Sequence, residues 1–295
     1  MTSASRRALL GLVALTASAL TAIAVPTAAT AATAQPLGYA ALGDSMASGP
    51  LIPDFTGPLA CGRSTRNYPH VLAATLGAAL SDATCSGAQT KHLAQPQSLS
   101  LLGVPAGSAP PQFDVLRPDT GLVTITMGGN DVGLVGIAQD CVRWDPAATP
   151  CNGEFQERLT QRLAELGPRL DAALTTIAER SPAARVVVVG YGLYIRPGGC
   201  WPVQPVLAPD ADFLQDGVDR MNAVLADRAA AHGAEYVDLV GPSAGHDTCA
   251  PNAERWIEGY LPVTLAAPLH PNRRGEENYA RVVAEHLAGA TAARR

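Results

Sequence analysis

The chain has 295 residues, 47% of them hydrophobic and 16% charged, with a formal net charge of −5. That length and balance suit one large domain with a sizeable core. The mild acidity argues against nucleic acid as a partner, and the positive charge is almost all arginine, with Lys91 the only lysine.

The first segment reads as a leader, not as part of the fold. Arg6 and Arg7 precede an apolar run from Ala8 to Val25, and Ala32-Thr33-Ala34 supplies a small-x-small cleavage site. This is the pattern of a secretory signal peptide over residues 1–34; the competing reading is a retained membrane anchor. Cleavage removes two arginines and no acid, which takes the charge from −5 to −7. No second apolar span follows, so the expected product is a soluble, extracellular single domain over residues 35–295, without stable membrane insertion and monomeric by default.

Five apolar runs then read as buried strands: Leu37–Leu42, Leu80–Cys85, Leu122–Met127, Arg185–Tyr191 and Glu235–Val240. Val186 to Val189 is the clearest, with four β-branched residues in a row. Helical patterns lie between them. Asn67 suits a helix N-cap with Pro69 in the first turn. Phe155, Leu159, Leu163 and Leu166 share one face, continued by Leu170, Leu174 and Ile177 past an expected kink at Gly167-Pro168. Phe213 to Ala231 reads as a helix, and Asn272 caps a last one. Strand–helix alternation with continuously apolar strands predicts a three-layer α/β/α sandwich around a five-stranded parallel sheet, of flavodoxin type.

In such sheets ligands bind outside the carboxyl ends of the strands. Gly43-Asp44-Ser45 follows the first strand, Cys85-Ser86-Gly87 the second, and Gly128-Gly129-Asn130-Asp131 the third. His270-Pro271-Asn272 follows the fifth through a long loop. Ser45, Gly87, Asn130 and His270 therefore converge on one edge. A serine and a histidine there are a nucleophile and its base, and a glycine N–H and an asparagine amide suit an oxyanion. Among the other histidines, His70, His92, His232 and His286 read as surface groups; His246 is the rival base, because it lies in the loop after strand five.

These four blocks, in this order, resemble the SGNH hydrolase family, also called GDSL, from about Tyr39 to His286. The resemblance implies a flavodoxin-like fold and a secreted lipase or carboxylesterase that forms an acyl-enzyme on Ser45. His270 would be the base, and Ser45 N–H, Gly87 N–H and the Asn130 amide the oxyanion hole. It implies a small-molecule or lipid ester substrate and no cofactor. The family usually has Asp three residues before the histidine, where this chain has Ala267. A main-chain carbonyl of Ala267 or Pro268 is then expected to orient His270, giving a Ser–His dyad in place of a triad. The alternatives are a carbohydrate acetylesterase or phospholipase on the same fold, or a catalytically inactive binding protein.

Six cysteines behind a leader imply disulfides, with fifteen possible connectivities. The family's similar three-bridge lipases imply the sequential pairing Cys61–Cys85, Cys141–Cys151 and Cys200–Cys249. No Cys-x-x-Cys and no zinc-spaced histidine pair occurs, so no metal site is expected. Leu51, Ile52, Phe55, Trp144, Trp201 and Trp256, in the long loops, are candidates for an apolar acyl site.

Overall fold

The computed structural model describes residues 35–293; the expected leader, residues 1–34, lies outside the described residues. In chain order the elements are β1 (Gly38–Gly43), α1 (Ser45–Ser48), α2 (Tyr68–Leu76), β2 (Ala79–Asp82), β3 (Gln97–Leu101), β4 (Val104–Ala109) and β5 (Leu122–Thr126). Then come α3 (Gly129–Val132), α4 (Leu134–Asp140), α5 (Asn152–Arg180), β6 (Arg185–Val189), α6 (Ala208–Ala231), β7 (Glu235–Val237) and α7 (Arg273–Ala293).

The main sheet has the order β2-β1-β5-β6-β7, and every pairing is parallel. All five expected strands are present, the second, fourth and fifth shorter than expected by two or three residues. α5 packs with α6, and α2 packs with α7. β5 is buried along its whole length, and β1 from Tyr39 onward, as central strands of a covered sheet must be. In this order the chain runs from β1 to β2 on one side, then crosses back to β5 on the other. The crevice between the carboxyl ends of β1 and β5 is therefore the topological switch point.

Local chemistry explains the helix ends. The Asn67 side chain accepts from His70 N–H at 3.0 Å and starts α2. Asn272 accepts from Gly275 N–H at 3.0 Å and starts α7. Glu276 on α7 takes a further orphan donor of α2, accepting from Tyr68 N–H at 2.7 Å. Its burial pushes that carboxyl well above the ordinary glutamate range.

α5 runs from Asn152 to Arg180 with Pro168, the expected kink position, inside it. Its inward stripe, Phe155 to Ile177, is buried on both sides of the proline. One expectation is corrected: the antiparallel hairpin β3–β4 forms a separate two-stranded sheet where no strand was expected. α6 also starts at Ala208, five residues earlier than expected.

Gly43 closes β1 where the crevice opens. A Cβ there would lie 2.8 Å from Thr126 O and 2.9 Å from Ala47 Cβ. The Gln112 side chain clamps the residue, accepting from Gly43 N–H and donating to its carbonyl, both at 2.8 Å. Gly43→Ala is expected to destabilise the fold by about 1–3 kcal/mol through overpacking against main chain that cannot yield. Urea unfolding of the variant beside the parent checks this.

Candidate active site

α1 is a single turn that begins at the end of β1. Asp44 is its N-cap, accepting from Met46 N–H at 2.9 Å, and Gly49 ends it at φ 68°. Ser45 is thus the first helical residue, not the cap. Its hydroxyl lies 2.7 Å from His270 Nε2. Both side chains are buried.

His270 Nδ1 meets the carbonyl of Pro268 at 2.6 Å. The Ala267 carbonyl is engaged elsewhere, accepting from His270 N–H at 3.2 Å. Of the two carbonyls expected to orient the ring, Pro268 does so. The reason is the turn. Pro268 sits at its second position and Leu269 at its third, with φ 60°, as in a type II turn. That turn flips the central peptide, which directs the Pro268 carbonyl at the ring. A leucine held there stores roughly 1–3 kcal/mol of backbone strain.

The loop carrying the turn is pinned from below. Glu258 N–H donates to His270 O at 2.9 Å, and Ala267 N–H donates to Pro50 O at 3.0 Å. The Glu258 carboxylate accepts from Thr264, Asn272 and Val263 N–H at 2.8–2.9 Å. Burial pushes this group up, but those hydrogen bonds outweigh it and hold it below the usual range. Burial lowers the His270 pKa from 6.5, partly offset by the Pro268 carbonyl.

Gly87 follows Cys85, whose disulfide to Cys61 ties this segment to the loop after α1. Ser86 N–H reinforces the tie, donating to Cys61 O at 3.0 Å. Gly87 has φ 75°, a conformation that favours glycine. The Asn130 amide donates to Ala88 O at 3.0 Å, which joins the Gly87 and Asn130 segments. Among the described residues no acceptor meets the N–H of Ser45 or Gly87. The remaining disulfides join Cys141 to Cys151 and Cys200 to Cys249.

Sequence reasoning missed Tyr191. Its buried hydroxyl donates to Asp44 Oδ2 at 2.5 Å and accepts from Gly129 N–H at 2.9 Å. It thereby links the Ser45 turn to the Asn130 turn. Its ring also fills the space beside Gly129, where a Cβ would lie 3.1 Å away. A tyrosine at the end of a β-branched run was the available signal. Burial pushes Asp44 up to about 7, although the Tyr191 and Met46 hydrogen bonds favour its charged form.

His246 is not at the site: its Nδ1 meets Glu254 O at 2.6 Å and its ring stacks on Trp256. The other four histidines bond helix caps or carboxylates. Beside the Ser45–His270 pair lies an apolar cavity. Its walls include Leu269, next to His270, and Tyr194, whose hydroxyl meets Met46 Sδ at 2.9 Å. Leu134, Ala138, Val206 and Tyr260 are also among its lining. None of the six loop side chains expected to form an acyl site lines it. Ile52 and Trp256 are buried, while Leu51, Phe55, Trp144 and Trp201 face solvent. Among the described residues no cluster of His, Cys, Asp or Glu could hold a metal ion.

The profile of the GDSL-like Lipase/Acylhydrolase family matches residues 41–277. Lipase 2 of Streptomyces coelicolor is 36% identical over 288 residues, covering 94% of this chain and 90% of its own. The solved extracellular lipase of Streptomyces rimosus superposes with a TM-score of 0.70 at 28% identity, covering 84% of this chain and 99% of that one. The phospholipase A1 of Streptomyces albidoflavus gives 0.69 at 27% identity, covering 85% and 99%. The chain belongs to the GDSL lipase/acylhydrolase family. It is a carboxylic ester hydrolase on that family's α/β fold.

Two outcomes are expected around Asp44. Its folded pKa of about 7 exceeds the ordinary 3.8, so the native state binds more protons in between and loses stability as pH rises from 4 to 7. Asp44→Asn removes that loss, on the order of 4 kcal/mol. Urea unfolding should show the variant gaining on the parent across that window, with little difference at pH 4. Tyr191→Phe leaves Asp44 Oδ2 and Gly129 N–H without a partner. It should cost about 1–3 kcal/mol for each group left unpaired. The same titration at pH 8 measures it.

Proposed function

We propose that the chain is secreted after loss of residues 1–34 and, as a monomer, cleaves lipid or other acyl esters through a Ser45–His270 dyad. The observation that carries this is the 2.7 Å contact between Ser45 Oγ and His270 Nε2. The Pro268 carbonyl fixes the proton on Nδ1, which leaves Nε2 free to accept. Ser45 Oγ attacks the ester carbonyl carbon as its proton passes to Nε2. The tetrahedral oxyanion is held by Ser45 N–H, Gly87 N–H and the Asn130 amide. The alkoxide leaves with the proton from Nε2, and the acyl group remains on Ser45. Water then repeats the sequence in the deacylation step and frees the carboxylic acid.

The apolar cavity behind Leu269 and Tyr194 suits the acyl chain. Its walls come from α4, α6 and the loops near residues 195, 206, 248 and 260, so chain-length preference lies with these residues. The carbonyl beside Nδ1 is a dipole, not a full charge, so it orients imidazolium more than it stabilises it. With burial dominant, the ring loses its proton below its usual range.

Ser45→Ala and His270→Ala should each lower hydrolysis of a short p-nitrophenyl ester by about a thousandfold or more. Unchanged turnover in either variant overturns the dyad. A covalent serine-directed inhibitor should label Ser45. Asn130→Ala should lower kcat by about 10²–10³-fold with KM little changed. The acidic limb of kcat/KM should show an apparent pKa below 6.5, the direction set by burial of His270. A series of triacylglycerol, phospholipid and acetylated sugar, each over several acyl lengths, assigns the substrate.

A further inference from the structure

We propose that the β3–β4 hairpin is a docking element whose tip inserts into the surface of an aggregated, uncharged lipid ester, such as an emulsified triacylglycerol droplet. This rests on the ester-hydrolase reading of the Ser45 site and extends it to how substrate is reached.

The hairpin divides into a rooted base and a free tip. Gln97, Leu99 and Ala109 are buried at the base, while every residue from Ser100 to Ser108 is exposed. Leu101 pairs with Val104 across a two-residue turn, Leu102-Gly103, with φ of 51° and 80°. A turn with positive φ at both central positions favours Asn-Gly or Asp-Gly. A leucine stands there instead, crowding its own Cβ, and it is 98% exposed. Leu101 and Val104 beside it are 47% and 64% exposed. Both the backbone and the solvent disfavour this choice, and burial of the tip in an apolar phase offsets the second penalty.

Charge selects the partner. No Asp, Glu, Lys or Arg stands between Lys91 and Asp114. Free strand edges are normally guarded by such charges, and an anionic surface would be met by cations. This hairpin has neither, so an uncharged apolar phase complements it.

Position ties the tip to the chemistry. Gln97 Nε2 donates to Ser86 O at 2.8 Å, one residue before Gly87. β3 packs beside the Leu59–Cys61 turn, and Leu59 is exposed. Leu51 follows Pro50, whose carbonyl binds Ala267 N–H in the His270 turn. The loop before that turn exposes Leu261, Val263 and Leu265. Exposed apolar groups thus run from the hairpin to the loop that carries His270, which is the pattern of a surface-binding rim.

The test uses Leu102→Asn. Asparagine suits the positive φ, so the variant should fold at least as well as the parent. Turnover of soluble p-nitrophenyl acetate should be unchanged. Flotation with a triolein emulsion, measured in a Ser45→Ala background so that droplets persist, should show about a tenfold or greater loss of affinity. Leu102→Asp, the second variant, should lose as much. Parent-like flotation of both variants overturns the proposal. So does binding confined to phosphatidylserine vesicles, or a shift from dimer to monomer in sedimentation, which would assign the edges to a second copy. A parent that floats but cleaves no soluble ester would refute the site reading and not the docking hairpin.

Discussion

The pairing of β1 with β5 is the constraint on which the site depends. Their register ends at Gly43 opposite Thr126, and Asp44 N–H extends it by one bond to Thr126 O at 2.9 Å. Beyond that point the two chains part, one into α1 and the other into α3. Ser45 and Asn130 therefore leave neighbouring strands within a few residues of their last shared hydrogen bond. The glycines at 43 and 129 let main chain and the Tyr191 ring come close, and Tyr191 then bridges the gap that the strands leave. The histidine arrives from far along the chain, so its placement is a matter of loop anchoring. Pro50, Glu258 and the turn at Pro268 supply that anchoring.

The site is built with dipoles where a formal charge is more usual. A carbonyl faces His270, and the carboxylate of Asp44, next to Ser45 in the chain, is directed toward Tyr191 and Met46. Burial works on both groups in opposite senses, holding the imidazole neutral and making the carboxyl reluctant to ionise. In the proposed reaction the positive charge forming on His270 would meet the Pro268 carbonyl dipole already in place.

Much of this was legible in the sequence. The strands announced themselves through continuous apolar runs, and three of the four candidate site residues follow strand ends within a few residues. The helix caps at Asn67 and Asn272 were equally plain, because a cap is local chemistry. What stayed hidden was non-local. Pro168 reads locally as a kink; that the stripe stays buried on both sides of it depends on the elements packed against α5. Tyr191 looked like the end of a strand; its hydroxyl matters only through Asp44 and Gly129, 147 and 62 residues away. The choice between Ala267 and Pro268 depended on one peptide flip, which side-chain identity does not encode. The hairpin hid because its turn carries leucine in place of asparagine. The cavity hid because its walls come from α4, α6 and short stretches of two loops, none of them apolar enough to notice alone.

The Cys61–Cys85 bridge responds to the chemistry around the chain. It fastens the Gly87 segment to the loop after α1, and such a bond forms only where thiols oxidise. A chain in reducing surroundings carries Ser45 and His270 but lacks the covalent strap on the Gly87 segment. How firmly the Gly87 segment is held beside α1 is thereby coupled to the redox state of the surroundings.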